Sequence, residues 1–405
     1  MGKKNTNRLY PNLVQAVVSA LQTIFTEDYY ADKVIQRLLK SNPKWGSRDR
    51  AFLAESVYEI VRWYRLLYTV LGQEPKTEED WWEMFGVYYL LAGGALPDWK
   101  EFSRLDAEQI KKRQTELLKD RKIRESIPDW LDERGAAELG EHWPESIAAL
   151  NRMAQVVLRT NQLKTTSAEL AELLSKDGIE TRTLENGGLL VTKRRNLFAT
   201  KAFKQGLFEV QDFSSQQVAP FLQVEPGMQV VDACAGGGGK SLHLATLMEN
   251  KGRLLAMDTA AWKLNELKKR ARRNGIHIVE TRPITNSKVI KRLEGKADRL
   301  LLDVPCSGLG VIRRNPDAKW KLSNDFIERV RKEQADILDR YPRMLKPGGL
   351  LVYATCSILP SENRKQIDRF LETHPEFELE EDRTILPQDE GFDGFYMARL
   401  KKREN

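Results

Sequence analysis

From Leu207 onward, short apolar runs alternate with longer segments whose apolar residues recur every three or four positions. The runs include VVD, LLAMD, LLLD and LLVYAT, and their unbroken apolar character is typical of strands buried on both faces. The segments between them are typical of amphipathic helices. This alternation constrains the fold more than any other feature, because parallel strands must be joined by long crossovers. It predicts an α/β fold with a parallel sheet, in which ligands bind outside the carboxyl ends of the strands.

A glycine-rich turn follows the first of these strands in MQVVDACAGGGGKSLHLATLM. Gly236 to Gly239 let the backbone approach a ligand closely and direct the amides of the next helix toward it. Asp258 ends the following strand, where an acidic side chain can bind both hydroxyls of an adenosine ribose. The turn and the acid together predict a nucleoside-type cofactor; the alternative is a tight turn with a solvated aspartate. GGGGKS lacks the glycine spacing of a P-loop, so we set aside a phosphate-binding nucleotidase.

The chain has three cysteines, and each stands just past the end of a predicted strand. We therefore expect Cys234, Cys306 and Cys356 to border one crevice. A thiolate that adds to carbon 6 of a pyrimidine makes carbon 5 electron-rich enough to accept a methyl group. A single buried cysteine usually packs as a small hydrophobe, but two at one rim, each followed by serine, favour chemistry. The scattered histidines and the lack of a Cys-x-x-Cys motif predict neither a disulfide framework nor a metal site.

The sequence patterns divide the chain into three predicted domains. Residues 1–125 carry apolar residues at helical spacing, which predicts an all-helical domain. Residues 126–206 show a β-α-β-β order, which predicts a small α/β module. Residues 207–405 form the predicted domain with the parallel sheet.

The composition is that of a folded chain, since 41% of its 405 residues are hydrophobic and 30% are charged. Lysine and arginine number 65 against 58 acidic residues, a slight excess that favours a polyanionic partner such as nucleic acid, although many metabolic proteins are as basic. Apolar stretches fall short of the roughly 20 residues that a membrane helix needs, and MGKKNTNRLYPN lacks an apolar signal core. We therefore expect a cytoplasmic protein with no membrane partner, and we expect it to be a monomer.

Three motifs, DACAGGGGK, LLDVPCSGLGVIRRNPDAKW and LVYATCS, follow one another in an order that resembles the Nop/Sun family of S-adenosylmethionine-dependent RNA cytosine-5 methyltransferases, and most of all its bacterial RsmB type. The resemblance covers residues 126–400, and SRDRAFLAESVYEIVR is more faintly similar to the NusB-like RNA-binding domain of RsmB proteins. DVPC stands where amino-methylating relatives carry Asn/Asp-Pro-Pro-aromatic. The resemblance implies a Rossmann-like class I methyltransferase domain, a small α/β RNA-binding module and an all-helical, RNA-binding N-terminal domain.

The resemblance also implies a role for each matching residue. Cys356 is the nucleophile that adds to carbon 6 of a cytosine, and Cys306 helps to release the product as the base that removes the carbon 5 proton. Asp303 holds the polar edge of the cytosine close to the methyl end of the cofactor. S-adenosylmethionine is bound by Asp258 and by the turn, whose residues are Cys234, Ala235, Gly236, Gly237, Gly238, Gly239 and Lys240.

Two departures from the family pattern bear on cofactor binding. The usual Ala-Ala-Pro-Gly-Gly-Lys turn has glycine in place of its proline here, which loosens the turn without removing an amide donor. The acidic residue that the family carries after the third strand is missing from IVETRPITNS, where Glu280 could substitute only with a shifted register. We therefore expect a measurable but weak affinity for S-adenosylmethionine.

Basic residues flank the expected crevice in RRNPDAK and around Arg159, where they could contact RNA phosphates or simply be solvated. The predicted RNA-binding residues are Arg159, Asn161, Arg313, Arg314 and Lys319. The favoured substrate is small-subunit ribosomal RNA, on the strength of the helical start. The alternatives are the same chemistry on transfer RNA, or a catalytically weak RNA-binding assembly factor.

Overall fold

A computed structural model describes residues 8–404. Their contacts divide the chain into two compact units. One unit comprises the chain up to Asn151 together with an excursion, Ile312–Asn324, and the other comprises Arg152–Val311 and the chain from Asp325 onward. The chain therefore leaves the second unit once and returns to it. The predicted limits of the three domains stay a prediction.

The first unit is helical, as its apolar periodicity predicts. Its core packs Phe25 against Tyr64 and Trp81 in a stack, with ring centroids 4.0 and 5.5 Å from that of Phe25. These large aromatic contacts contribute both buried area and ring–ring attraction. Its helices before Asn151 are α1 (Pro11–Thr26), α2 (Ala31–Ser41), α3 (Ser47–Arg62), α4 (Tyr64–Leu71), α5 (Glu78–Leu91), α6 (Ala107–Leu117), α7 (Arg121–Arg124), α8 (Asp129–Leu139) and α9 (Trp143–Leu150).

The second unit begins with a small antiparallel sheet in the strand order β2-β3-β1-β4. Thr166 and Glu169 form a capping box at the start of its helix α10, and Leu170 and Leu174 of that helix are buried against the sheet. The β-α-β-β order predicted from the sequence is present, and a further strand, β4, completes the sheet. The elements are β1 (Val157–Thr160), α10 (Ser167–Lys176), β2 (Thr181–Thr183), β3 (Leu189–Val191), α11 (Lys201–Lys204) and β4 (Phe208–Val210).

A seven-stranded sheet in the order β10-β11-β9-β8-β5-β6-β7 forms the rest of this unit. Successive residues along a strand enter cores on opposite faces; Val231 lies in one core and Val230 in the other. The elements are α12 (Phe213–Phe221), β5 (Gln229–Asp232), α13 (Gly239–Leu247), β6 (Arg253–Asp258), α14 (Ala261–Asn274), β7 (Val279–Pro283), α15 (Ser287–Lys291), β8 (Ala297–Asp303), α17 (Asn324–Arg340), β9 (Leu345–Thr355), α18 (Arg364–Thr373), β10 (Phe377–Ile385), α19 (Pro387–Glu390) and β11 (Phe395–Lys402). Helix α16 (Ala318–Lys321) lies in the excursion and belongs to the first unit.

Strands β5 to β9 are mutually parallel, and β11 pairs antiparallel to β9. The chain starts at central β5, runs to the edge strand β7 and returns to β8 on the other side of β5. Such a reversal of strand order opens a crevice at the carboxyl ends of the strands. The predicted Rossmann-like α/β fold with a helical N-terminal region is confirmed.

Candidate active site

Acidic side chains end three adjacent strands of the seven-stranded sheet. Asp232 ends β5, Asp258 ends β6 and Asp303 ends β8. Because these strands are parallel and adjacent, the three residues lie along the same carboxyl edge. Thr355 ends β9 next to β8 on this edge, and Cys356 follows it directly. The sheet therefore collects the predicted cofactor acid, the predicted substrate acid and one predicted catalytic thiol in a row.

The glycine-rich turn faces the carboxylate of Asp258. That carboxylate accepts hydrogen bonds from the backbone N–H of Gly236 at 2.9 Å and of Ala260 at 2.7 Å. Gly238 has φ +85°, and a Cβ there would lie 2.4 Å from Leu267 of α14, so glycine is required at this position. A Cβ at Gly236 would have no heavy atom within 4 Å among the described residues, so the turn opens onto free space beside the acid.

Two arginines, buried Arg159 and half-buried Arg270, donate hydrogen bonds to carbonyls of this turn. Arg270 of α14 donates to the carbonyl of Gly237 at 2.6 Å, and Arg159 of β1 donates to the carbonyl of Gly239 at 2.6 Å. Arg270 also pairs with Glu209 of β4 at 3.0 Å. Although burial alone would raise it, the pKa of Glu209 is held below its usual value by Arg270 and its other cationic and amide neighbours. Charged contacts thus fix a turn that lacks the family's proline.

The thiols of Cys306 and Cys356 lie together at the other end of the row. Their Sγ atoms are 3.2 Å apart, well beyond the ~2.05 Å of a disulfide, so both cysteines are free thiols in contact. Gly310, in the loop after Cys306, donates its backbone N–H to the carbonyl of Cys356 at 2.9 Å. Both cysteines are half-buried. The hydrogen bond with Cys356 and burial raise the pKa of the Cys306 thiol well above its usual value.

Cys234 packs against the apolar cluster on one face of the sheet. Burial, together with nearby carboxylates that include Asp232, raises the pKa of the Cys234 thiol well above its usual value. These surroundings favour the thiol form, which packs as a small apolar group. The structure brings two of the three cysteines into contact, and the third, Cys234, is half-buried and packs against an apolar cluster.

Lys240 connects the turn with the end of β8. Its ammonium group lies 2.7 Å from the carboxylate of Asp303 and 4.9 Å from the ring centroid of Phe395. The ammonium balances the charge of Asp303, a carboxylate that stays partly exposed at the sheet edge. Asp303 is therefore able to accept a hydrogen bond from a ligand at this edge.

Asp232 lies beneath the turn and is 1% exposed. Its Oδ2 accepts a hydrogen bond from the hydroxyl of Ser241 at 2.6 Å, and its Oδ1 has no hydrogen-bond partner among the described residues. Burial raises the pKa of Asp232 to about 7.

The residues predicted to bind RNA are mostly interior. Arg159 supports the turn, and the side-chain amide of Asn161 donates to the carbonyls of Gly206 and Asn274 at 2.8 and 2.9 Å. Both residues are buried. Arg159 joins the small sheet to the start of α13 and Asn161 joins it to α14. Both side chains are therefore used inside the protein and are not placed on the surface for contact with RNA.

Two residues of the excursion are likewise buried, within the helical unit. Arg313 donates to the carbonyl of Ala149 at 2.7 Å, and Lys319, only 1% exposed, donates to the carbonyl of Arg62 at 2.7 Å. The expectation that they meet RNA phosphates disagrees with this burial, because a phosphate contact needs an accessible cation. Arg314 is half-buried and also interacts within the protein.

Glu280 lies away from the row of strand ends. In the observed register it pairs with Leu255, whereas Asp258 pairs with Pro283, so Glu280 lies before the carboxyl end of β7. Its carboxylate forms a two-pronged ion pair with Arg253 at 2.9 and 2.6 Å. Since the register is not shifted, Glu280 does not replace the missing acid.

None of the helices within residues 8–404 is both long and apolar enough to cross a membrane.

The chain matches two family models and several known proteins. A family model described as 16S rRNA methyltransferase RsmB/F matches residues 219–401, and a second, the RsmF/B-like ferredoxin-like domain, matches residues 127–197. A probable ribosomal RNA small subunit methyltransferase B of Synechocystis is 32% identical over 94% of this chain and 97% of its own length. The protein of the same name in Bacillus subtilis is 35% identical over 69% of this chain and 67% of its own length. The crystal structure of a protein named PH0851 matches 98% of this chain and 100% of its own with a TM-score of 0.83 and 28% identity.

Proposed function

This protein belongs to the RsmB/F family of methyltransferases, and from that premise we propose that it transfers a methyl group from S-adenosylmethionine to carbon 5 of a cytosine in small-subunit ribosomal RNA. The observation that carries the proposal is the contact between the thiols of Cys306 and Cys356, 3.2 Å apart beside the strand that ends in Asp303. Carbon 5 of cytosine is a poor nucleophile until a thiolate has added to carbon 6. A pair of thiols at the carboxyl edge of a sheet suits such an addition and its reversal.

The residues at the turn fit the proposed methyl donor. Asp258 accepts one backbone N–H on each carboxylate oxygen, and the remaining lone pairs can accept the ribose hydroxyls of the proposed cofactor. The open space at Gly236 leaves room for a nucleoside beside that carboxylate. When bound, S-adenosylmethionine supplies an activated methyl group from its sulfonium.

In the proposed reaction Cys356 adds as a thiolate to carbon 6, forming a carbon–sulfur bond and making carbon 5 the nucleophile that takes the methyl group. Asp303, which forms an ion pair with Lys240, accepts a hydrogen bond from the exocyclic amine of the cytosine. Cys306 then takes the proton from carbon 5, the electrons of that bond restore the ring double bond, and the bond between carbon 6 and Cys356 breaks. The products are 5-methylcytosine and S-adenosylhomocysteine.

Transfer of tritiated methyl from S-adenosylmethionine to undermethylated ribosomal RNA tests this proposal. Cys356→Ala should abolish transfer, Cys306→Ala should accumulate a covalent RNA adduct that survives a denaturing gel, and Glu372→Gln, which changes an exposed acid of α18, is the control and should remain active. Full activity of Cys356→Ala would refute the nucleophile. Bisulfite sequencing of ribosomal and transfer RNA from cells lacking the protein identifies the target, and a lost methyl mark confined to transfer RNA would replace the proposed substrate.

One observation supports a second candidate, a catalytically weak RNA-binding assembly factor whose helical N-terminal part, similar to NusB-like domains, binds RNA. β7 ends in Pro283, and Glu280 is occupied by Arg253, so no carboxylate of this strand stands at its carboxyl end. Calorimetric titration with S-adenosylmethionine separates the two functions. We expect weak but measurable binding, and no binding even with RNA present would favour the assembly factor.

A further inference from the structure

The carboxylate of Glu362 is buried beneath the two thiols, in the loop that leads from β9 to α18. It is 0% exposed. Its Oε2 accepts the backbone N–H of Ser307 at 2.7 Å and the side-chain amide of Gln334 at 3.1 Å. Its Oε1 accepts the hydroxyls of Ser307 and Ser357, each at 2.5 Å. A buried carboxylate is costly unless its oxygens are hydrogen-bonded, and these four uncharged donors meet that need.

The donors belong to the loops that carry the two cysteines. Ser307 follows Cys306 and Ser357 follows Cys356, so one side chain is bonded to the neighbours of both thiols. The Ser307 and Ser357 hydroxyl oxygens are themselves 3.2 Å apart. The spacing of these two serines therefore repeats the 3.2 Å spacing of the two thiols one residue earlier.

Neighbouring side chains lock the same two loops. Gln334 of α17 bonds Glu362 and also donates to the carbonyl of Pro305 at 2.9 Å. Asn363 donates to the carbonyl of Ser357 at 3.0 Å, and Tyr353 donates its hydroxyl to the carbonyl of Glu362 at 2.6 Å. A satisfied polar network of this kind holds one geometry more strictly than apolar packing does.

From these contacts we infer that Glu362 is a positioning residue, which holds the thiols of Cys306 and Cys356 at contact distance by fixing the residues that follow them, Ser307 and Ser357. The hydroxyls and the backbone N–H that Glu362 accepts belong to the residues directly after the two cysteines, so its carboxylate fixes the distance between the two loops. The catalytic meaning of this role rests on the proposed methyl transfer, whereas the spacing of the thiols does not.

Oxidation with diamide measures the spacing without any RNA. Diamide takes two hydrogens from two neighbouring thiols and leaves a disulfide, and its own azo bond is reduced to a hydrazine. In a Cys234→Ala background we expect rapid formation of the Cys306–Cys356 disulfide, followed by peptide mass spectrometry. Glu362→Gln should slow disulfide formation at least about tenfold. The substitution replaces one carboxylate oxygen by an NH2 group, which cannot accept the hydrogen bonds that its neighbours donate. Glu372→Gln, which changes an exposed acid of α18, is the matched control and should oxidise at the parent rate.

Steady-state methyl transfer gives the second readout. Glu362→Gln should lower kcat by about 100-fold, the effect expected for a misplacement near 1 Å, and should leave the KM for RNA unchanged because it touches no RNA-facing group. Ser357→Ala removes one of the four donors and should show a smaller loss of both kcat and oxidation rate, and it serves if Glu362→Gln does not fold. A folded Glu362→Gln with parental oxidation rate and kcat would overturn the inference. If the parent protein transfers no methyl group, the proposed function fails, while the diamide rates still decide the positioning role.

Discussion

Replacing Gly310 by alanine should separate the loops of the two thiols. A Cβ at Gly310 would lie 2.1 Å from the carbonyl oxygen of Gly394 and 2.8 Å from that of Cys356. Both obstacles are backbone atoms, which cannot rotate away as a flexible side chain could. Gly310 also donates to the carbonyl of Cys356 at 2.9 Å and accepts from the N–H of Gly394 at 2.8 Å. The added methyl group must therefore displace the loop that carries Gly394, just before β11, or the loop that carries Cys356, or both.

These contacts give the free energy of unfolding that Gly310→Ala removes. Overpacking costs about 1 to 3 kcal/mol, and each lost backbone hydrogen bond costs about 0.5 to 1.5 kcal/mol. Overpacking and the loss of both backbone hydrogen bonds of Gly310 together remove about 2 to 6 kcal/mol of unfolding free energy. At about 2 to 4 °C per kcal/mol, a central cost near 4 kcal/mol lowers the unfolding midpoint by roughly 8 to 16 °C.

Differential scanning calorimetry measures the unfolding midpoint. Tritiated methyl transfer at a temperature below that midpoint measures activity. The activity should fall by about 100-fold if the thiols shift by roughly 1 Å. Gly46→Ala is the control, since a Cβ there would lie 3.8 Å from its nearest neighbour, and it should cost less than about 1 kcal/mol. A Gly310→Ala protein with an unchanged midpoint and full activity would refute the steric reasoning.

The remaining predictions concern the cofactor side of the crevice. Asp258→Asn should weaken binding of S-adenosylhomocysteine at least about tenfold by calorimetry, since hydrogen bonds to a charged group contribute about 1.5 to 3 kcal/mol, while Glu280→Gln, its control, should bind as the parent does. Arg270→Met should weaken the same binding by about tenfold, because it removes the charged donor to the Gly237 carbonyl; equal affinities would show that the turn needs no such support. The folded-state pKa of Asp232 is about 7 against 3.8 for the free residue, so the stabilisation from its proton is present at low pH and is lost as the pH rises toward 7. The unfolding midpoint of the parent relative to Asp232→Asn should therefore fall between about pH 4 and pH 7, and a constant difference would contradict the burial argument.

Features set by local pattern could be predicted from the sequence. The glycine-rich turn, Asp258 at the end of its strand and the stop of α14 at Gly275, which has φ +72°, depend on residues close together in the chain. The contact between Cys306 and Cys356 also followed, because parallel strands bring their carboxyl ends to one edge whatever lies between them.

Contacts between residues that are far apart in the sequence could not be predicted from it. Lys319 lies in a basic run that is typical of a solvated surface, yet its acceptor is the carbonyl of Arg62 in a different helix. Arg159 has the charge of an RNA contact, but its partner carbonyl at Gly239 becomes a neighbour only after folding. The same holds for Glu362 and Ser307, whose bond joins two loops. The signal that was available for Glu362 is its place in LPSEN, six residues after Cys356 and beyond the motif LVYATCS.

The excursion Ile312–Asn324 has a consequence for how this protein can be divided. A fragment that starts at Arg152 still carries Lys319 and Trp320 but lacks the carbonyls of Arg62 and Val61 to which they donate. Such a fragment therefore exposes a basic and aromatic segment that is packed against helices in the whole chain. This exposed segment favours aggregation. A well-behaved fragment of the second unit needs a second edit, in which a short linker bridges Val311 to Asp325.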